Sequence, residues 1–120
     1  MTNEEFERER REQRRLETLG TDNPCCGICP ENDSRVLELH HIAGRKFDDT
    51  MAILCRNCHR KVTDDAEDHP IVDPAADQLL AMIGKFLLGL ADMLHLAVAK
   101  LYEFGRALIC LANAGEGECA

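Results

Sequence analysis

Two Cys-x-x-Cys pairs constrain the fold of this 120-residue chain more than any other feature. Cys26 and Cys29 form the first pair, Cys55 and Cys58 form the second, and 25 residues lie between the pairs. Two thiolates on one tight turn can occupy one edge of a tetrahedron, and a second turn can occupy the other edge, which suits Zn²⁺. The spacing therefore predicts a closed structural zinc site that serves folding rather than chemistry.

Two alternatives to this ligand set remain: Cys25 could replace Cys26, or all four thiols could be reduced and buried without a metal. Cys26 is preferred because its spacing matches that of the second pair. A metal also fits the composition, since the chain has no Trp and only four Phe, and a unit of roughly 60 residues buries too little apolar surface to be comfortably stable. The odd count of seven cysteines and the charged N-terminus predict a reducing, cytoplasmic setting rather than disulfides.

The net charge of −8 argues at first against a nucleic-acid partner. Its distribution is uneven, because residues 1–34 carry −4 and residues 62–120 carry −7, whereas residues 35–61 carry +3. A local basic patch can bind phosphate groups even when long-range attraction is weak or repulsive. The predicted phosphate-binding residues are Arg45, Lys46, Arg60 and Lys61.

Hydropathy and turn signals divide the chain into a charged helix, a zinc-binding domain, a linker, a long amphipathic helix and a flexible tail. In that order these segments span residues 1–20, 21–68, 69–77, 78–113 and 114–120. Within the second segment we expect strands over 35–41 and 50–54 and a helix over 56–66. The predicted fold class is therefore α+β.

An unbroken apolar heptad runs through residues 79–112. Its a and d positions are Leu80, Ile83, Leu87, Leu90, Leu94, Ala97, Leu101, Phe104, Leu108 and Leu111. Sustained heptads are typical of coiled coils, so the segment is predicted to form a homodimer. Folding back on the same chain, another protein partner and a membrane surface are the alternatives. A transmembrane span is not predicted, because no run of 18 uncharged residues exists and Asp92 and His95 lie near the middle.

Three histidines lie close to the cysteine pairs in the sequence. His40 and His41 end the first predicted strand, and His59 directly follows Cys58. A neutral imidazole can act as a base at pH 7 and can also bind a divalent cation. Each histidine taken singly is more often a surface residue, but their joint order around the cysteines favours a site. His69 and His95 have no such companions and are interpreted as a linker residue and a helix-flank residue.

This order of residues resembles that of the HNH endonucleases. The match covers residues 25–65 and consists of Glu38-Leu39-His40-His41, a Gly-containing loop, Ile53-Leu54-Cys55 and Arg56-Asn57-Cys58-His59. The resemblance implies a small ββα-metal domain, the His-Me finger, with a zinc knuckle of four cysteines, flanked here by the charged helix and the long amphipathic helix. It also implies that His41 is the general base and that His40 and His59 bind a catalytic divalent metal.

The activity implied by this resemblance is metal-dependent hydrolysis of DNA phosphodiester bonds. The catalytic metal would be Mg²⁺, Mn²⁺ or Ni²⁺, and two imidazole ligands suit Mn²⁺, Co²⁺ or Ni²⁺ better than Mg²⁺. The family's middle asparagine falls on Thr50, which offers one hydroxyl in place of an amide. The alternative is therefore a weak or inactive zinc-stabilised module of the same fold that binds DNA or another protein.

Overall fold

Residues 1–114 fold into a two-stranded sheet and three α-helices, which confirms the α+β class. The computed structural model describes residues 1–114, so the predicted tail lies, apart from Ala114, outside the described residues. The elements are α1 (Asn3–Leu19), a one-turn 3₁₀ helix (Ser34–Val36), β1 (Leu37–His41), β2 (Met51–Cys55), α2 (Arg56–Ala66) and α3 (Gln78–Ala114).

Strands β1 and β2 form an antiparallel hairpin, and α2 follows β2 without a gap. In the register, Leu37 lies opposite Cys55 and His41 lies opposite Met51. β1 starts two residues later than predicted because the Asp33 side chain accepts a hydrogen bond from the Arg35 N–H and closes a 3₁₀ turn. We call residues 24–66 the hairpin–helix unit.

The core of the hairpin–helix unit is small and surrounds the paired cysteines. Leu54 and Val62 are almost completely buried, at 0% and 2% exposure. Leu37 and Ile28 pack in the same cluster, together with the buried cysteines and with Met93 from α3. Cysteine side chains and one residue of α3, a helix distant in the sequence, thus complete the core of the unit.

Helix α1 is a charged arm that buries none of its residues. A capping box between Thr2 and Glu5 begins it, and Gly20 ends it with a φ of 78°, in the left-handed region that favours glycine. Three hydrogen-bonded side chains fix the position of α1. Arg15 Nε donates to Ser34 Oγ at 3.0 Å, and Ser34 Oγ donates to Glu12 Oε2 at 2.7 Å. The hydrogen bonds from Ser34 and then Arg15 lower the pKa of Glu12.

Helix α3 folds back on the hairpin–helix unit, but not through its heptad face. The buried residues of α3 are Gly89 and Met93, and Leu96 packs beside them. At Gly89 the two backbones meet so closely that a Cβ would lie 1.8 Å from the Ile42 carbonyl oxygen. By length and composition α3 is apolar enough to cross a membrane, because an 18-residue window within it has a mean hydropathy of 1.7.

Replacing Gly89 with Ala should destabilise the docking of α3. The added methyl group cannot fit against the Ile42 carbonyl, so the helix must shift away from the core at a cost of roughly 1–3 kcal/mol. Urea denaturation of the G89A variant measures this loss. Ala99→Leu adds more bulk at an exposed position of the same helix and should leave stability nearly unchanged. Equal stability of the two variants would contradict the observed packing.

Candidate metal centre and histidine cleft

The four paired cysteines converge on one point. The sulfur atoms of Cys26, Cys29, Cys55 and Cys58 all lie within 4.8 Å of one another, and Cys29 Sγ lies 3.6 Å from Cys55 Sγ. A tetrahedron with Zn–S bonds of ~2.3 Å has edges of ~3.8 Å, so the donor set and its spacing fit Zn²⁺. The cluster could therefore hold a structural metal such as zinc. Cys25 is exposed and lies outside it.

Backbone hydrogen bonds hold the sulfurs in place. The Gly27 N–H donates to the Ile53 carbonyl at 2.8 Å, which ties the first turn to β2, and the Cys58 N–H donates to Cys55 Sγ at 3.4 Å. Burial raises the pKa of Cys26, but hydrogen bonds from nearby backbone outweigh it and lower the pKa to about 7. Burial and then the hydrogen bond with Cys55 raise the pKa of Cys58. The crowded sulfurs thus resist joint ionisation, which a bound dication would compensate.

His40, His41 and His59, which the sequence predicts to act together, line one cleft of about 380 Å³. We call it the histidine cleft. The rings of His40 and His59 are 5.0 Å apart between centroids and inclined by 64°, and His41 lines the same cleft. Burial, followed by the nearby imidazoles of His59 and His41, lowers the pKa of His40. His40 is therefore neutral at pH 7, and the neutral ring is the form that binds metal ions.

A carboxylate orients the His59 ring. Glu38 projects from β1 on the same side as His40, two residues away, and its Oε1 lies 3.3 Å from His59 Nδ1. A hydrogen bond from Nδ1–H to the carboxylate leaves Nε2 with a free lone pair. Histidines that bind metals commonly carry such a carboxylate partner on the other nitrogen.

Helix α3 and the linker add a second histidine–carboxylate pair to the cleft. His69 Nε2 lies 2.6 Å from Asp92 Oδ2, and their side chains are only 10% and 23% exposed. Lys85 lines the same cleft. Sequence reasoning placed His69 in a linker and so missed this contact. The single available signal was Asp92, an acid in the middle of an apolar helix.

The other predicted site residues lie in different surroundings. Arg45 lines the cleft, whereas Lys46, Arg60 and Lys61 are exposed residues outside its lining. Thr50 is exposed as well, and its backbone stabilises the loop between β1 and β2. Its carbonyl accepts a hydrogen bond from the Ile42 N–H at 3.1 Å, and its own N–H donates to Asp48 Oδ2 at 3.3 Å.

Comparisons with family models, curated proteins and solved structures found no match to this chain. The resemblance to HNH endonucleases therefore rests on the residues themselves and stays a prediction. Within residues 1–114, the cysteine cluster is the only set of three or more His, Cys, Asp or Glu side chains whose ligand atoms all lie within 4.8 Å of one another. The histidines of the cleft do not belong to a group of this kind within those residues.

Replacing Cys58 with Ser should abolish the fold of the hairpin–helix unit. Structural zinc contributes about 10–16 kcal/mol in small zinc-dependent domains, far more than this core can supply. We expect one zinc per chain in the native protein and loss of both zinc and cooperative thermal unfolding in C58S. Cys25→Ser is the matched control, because this neighbouring thiol is exposed and outside the cluster. Equal zinc content in the two variants would refute the assignment.

Proposed function

We propose that the chain is a zinc-stabilised HNH endonuclease that hydrolyses DNA phosphodiester bonds in the histidine cleft. The observation that carries this proposal is the convergence of His40, His41 and His59 in a single cleft, although they come from two elements. The hairpin followed by a helix, with the cysteine cluster beside it, supports the finer assignment to the ββα-metal fold.

In the proposed reaction, a ring nitrogen of His41 accepts a proton from the attacking water. A new P–O bond forms to the water oxygen, the bond to the leaving ester oxygen breaks, and that oxygen takes the electron pair. A divalent cation held by His40 and His59 would stabilise the charge on the phosphate and the leaving oxygen. Glu38 keeps His59 oriented, and the depressed pKa of His40 keeps that ring unprotonated.

Positive side chains at the cleft would hold the DNA backbone. Arg45, from the loop between β1 and β2, and Lys85, from α3, both line the cleft. Lys46 is exposed beside Arg45. Such contacts to phosphate position the duplex without reading its sequence. Because the whole chain carries −8, we expect modest affinity, and the few phosphate contacts imply a shallow decrease of that affinity with salt.

One observation favours the alternative, an inactive module of the same fold that binds DNA or another protein. Thr50 stands at the position of the family's asparagine, and its side chain lies outside the lining of the cleft. Metal stoichiometry separates the two functions. Zinc as the sole tightly bound metal, with no second divalent ion taken up at His40 and His59, would support the module.

Replacing His41 with Ala should slow plasmid nicking by at least about 100-fold, because a general base typically contributes two to four orders of magnitude. The assay uses supercoiled plasmid with Mn²⁺ or Mg²⁺ and follows the open-circular product. His95→Ala is the matched control, since this exposed histidine lies on α3 outside the cleft. Nicking by H41A at the native rate, or no nicking by the native protein, would overturn the proposed activity.

Replacing Glu38 with Gln should weaken binding of the second metal rather than abolish the fold. Loss of a carboxylate behind a metal-bound histidine typically costs 10–100-fold in metal affinity. Titration of the zinc-loaded protein with Mn²⁺ measures this change directly, and the Mn²⁺ dependence of nicking measures it in the assay. Glu103→Gln serves as the control, because Glu103 pairs with Lys100 far along α3. Unchanged Mn²⁺ affinity in E38Q would contradict the proposed support of a metal-bound His59 by Glu38.

A further inference from the structure

The heptad face of α3 is largely uncovered. Writing the heptad with Leu80 at position a, residues at c, f and g face the hairpin–helix unit, for example Gly89, Asp92 and Met93. Positions a, d and e lie on the opposite side of the helix. Most of the large side chains at positions a and d are 44–70% exposed: Leu80, Ile83, Leu87, Leu94, Leu101, Phe104, Leu108 and Leu111. We call the surface formed by positions a, d and e the a/d/e face.

Two glycines on the a/d/e face have no explanation within the described part of the chain. Gly84 and Gly105 occupy e positions three heptads apart, and a Cβ at either would meet nothing within 4 Å. A glycine inside a helix costs about 1 kcal/mol relative to alanine. Gly89 offsets this cost through its contact with Ile42. For Gly84 and Gly105, the close approach of another helix would provide the equivalent benefit.

The chain exposes more surface than a self-contained monomer of its size. Its accessible surface is 9145 Å², whereas a compact monomer of 13.4 kDa exposes ~6,500 Å². The radius of gyration of 18.9 Å likewise exceeds the ~13.6 Å expected for 120 residues. Part of the excess belongs to α1, yet the total is about three times the ~800 Å² that one partner buries in a standard interface. The exposed large side chains of the a/d/e face contribute to this excess, so the face offers apolar surface that a partner helix can bury.

The charges and the packing around the a/d/e face indicate whether a membrane or a second copy of the chain covers it. A membrane span would need lipid around the whole helix, but the hairpin–helix unit covers the opposite side at Gly89 and Asp92. A membrane surface would favour Lys and Arg beside the apolar face. The sequences that flank α3, residues 62–77 and 115–120, carry eight acidic and no basic side chains, and α3 itself carries three basic and two acidic ones. A second copy presents the same uncharged heptad over the same length, so no charge is buried unpaired when the two faces meet.

We propose that two copies of this chain pair through the a/d/e faces of their α3 helices, with Gly84 and Gly105 allowing close backbone contact. The histidine cleft lies on the other side of α3, where Lys85 and Asp92 line it. Pairing therefore leaves both clefts open in the dimer. This inference does not depend on the proposed nuclease activity.

The test is the oligomeric state of the full chain, measured by sedimentation velocity over a range of concentrations. The native protein should sediment with twice the chain mass, and the Leu94→Glu/Leu101→Glu variant should sediment as a monomer with at least 100-fold weaker association. Ala99→Glu is the matched control, because Ala99 is exposed but lies outside the a/d/e face. Zinc content and circular dichroism verify that each variant is folded.

Gly105→Leu tests the close approach separately. Nothing within the described chain obstructs the larger side chain, so the fold should persist while dimer association weakens at least 10-fold, and Ala99→Leu should have no such effect. A native protein that stays monomeric at tens of micromolar would overturn the proposal, as would dimeric L94E/L101E. Co-sedimentation of the native protein with phosphatidylcholine vesicles, lost in L94E/L101E, would assign the face to lipid instead.

Discussion

The convergence of four cysteine sulfurs is the interaction on which the rest of the structure depends. It joins the turn at 26–29 to the end of β2 and the first turn of α2. Only Leu54 and Val62 among the large side chains described are fully buried, so the apolar core cannot by itself offset the entropy of ordering the chain. The sulfurs are the natural place for a metal ion to supply the missing stability.

The same cluster also orients the cleft. His59 directly follows Cys58 on the first turn of α2. Holding the Cys58 sulfur in place therefore also holds the backbone from which the His59 side chain extends. From that turn His59 reaches Glu38 at 3.3 Å and lies beside His40. The cysteine cluster thus holds His59 close to Glu38 and His40, and loss of the cluster would disorganise this arrangement as well.

Helix α3 has two different surfaces. Its c, f and g positions close the cleft with Lys85, Gly89 and Asp92, while the a/d/e face stays exposed. The helix is apolar on nearly all sides, which explains why one element can pack on its own chain and still keep a second apolar surface. The predicted heptad is therefore present, but it is not the surface that packs within the chain.

The sequence by itself determined the features that depend on near neighbours and on periodicity: the helices, the hairpin, the four-cysteine set and the grouping of His40, His41 and His59. Only the tertiary structure decided that His69 and Asp92, 23 residues apart, meet in the cleft, and that Thr50 lies outside it. Hydrophobic periodicity identifies an apolar face but not what covers it. The close contact between Gly89 and Ile42 selected the packed face, and a contact of that kind depends on the assembled fold.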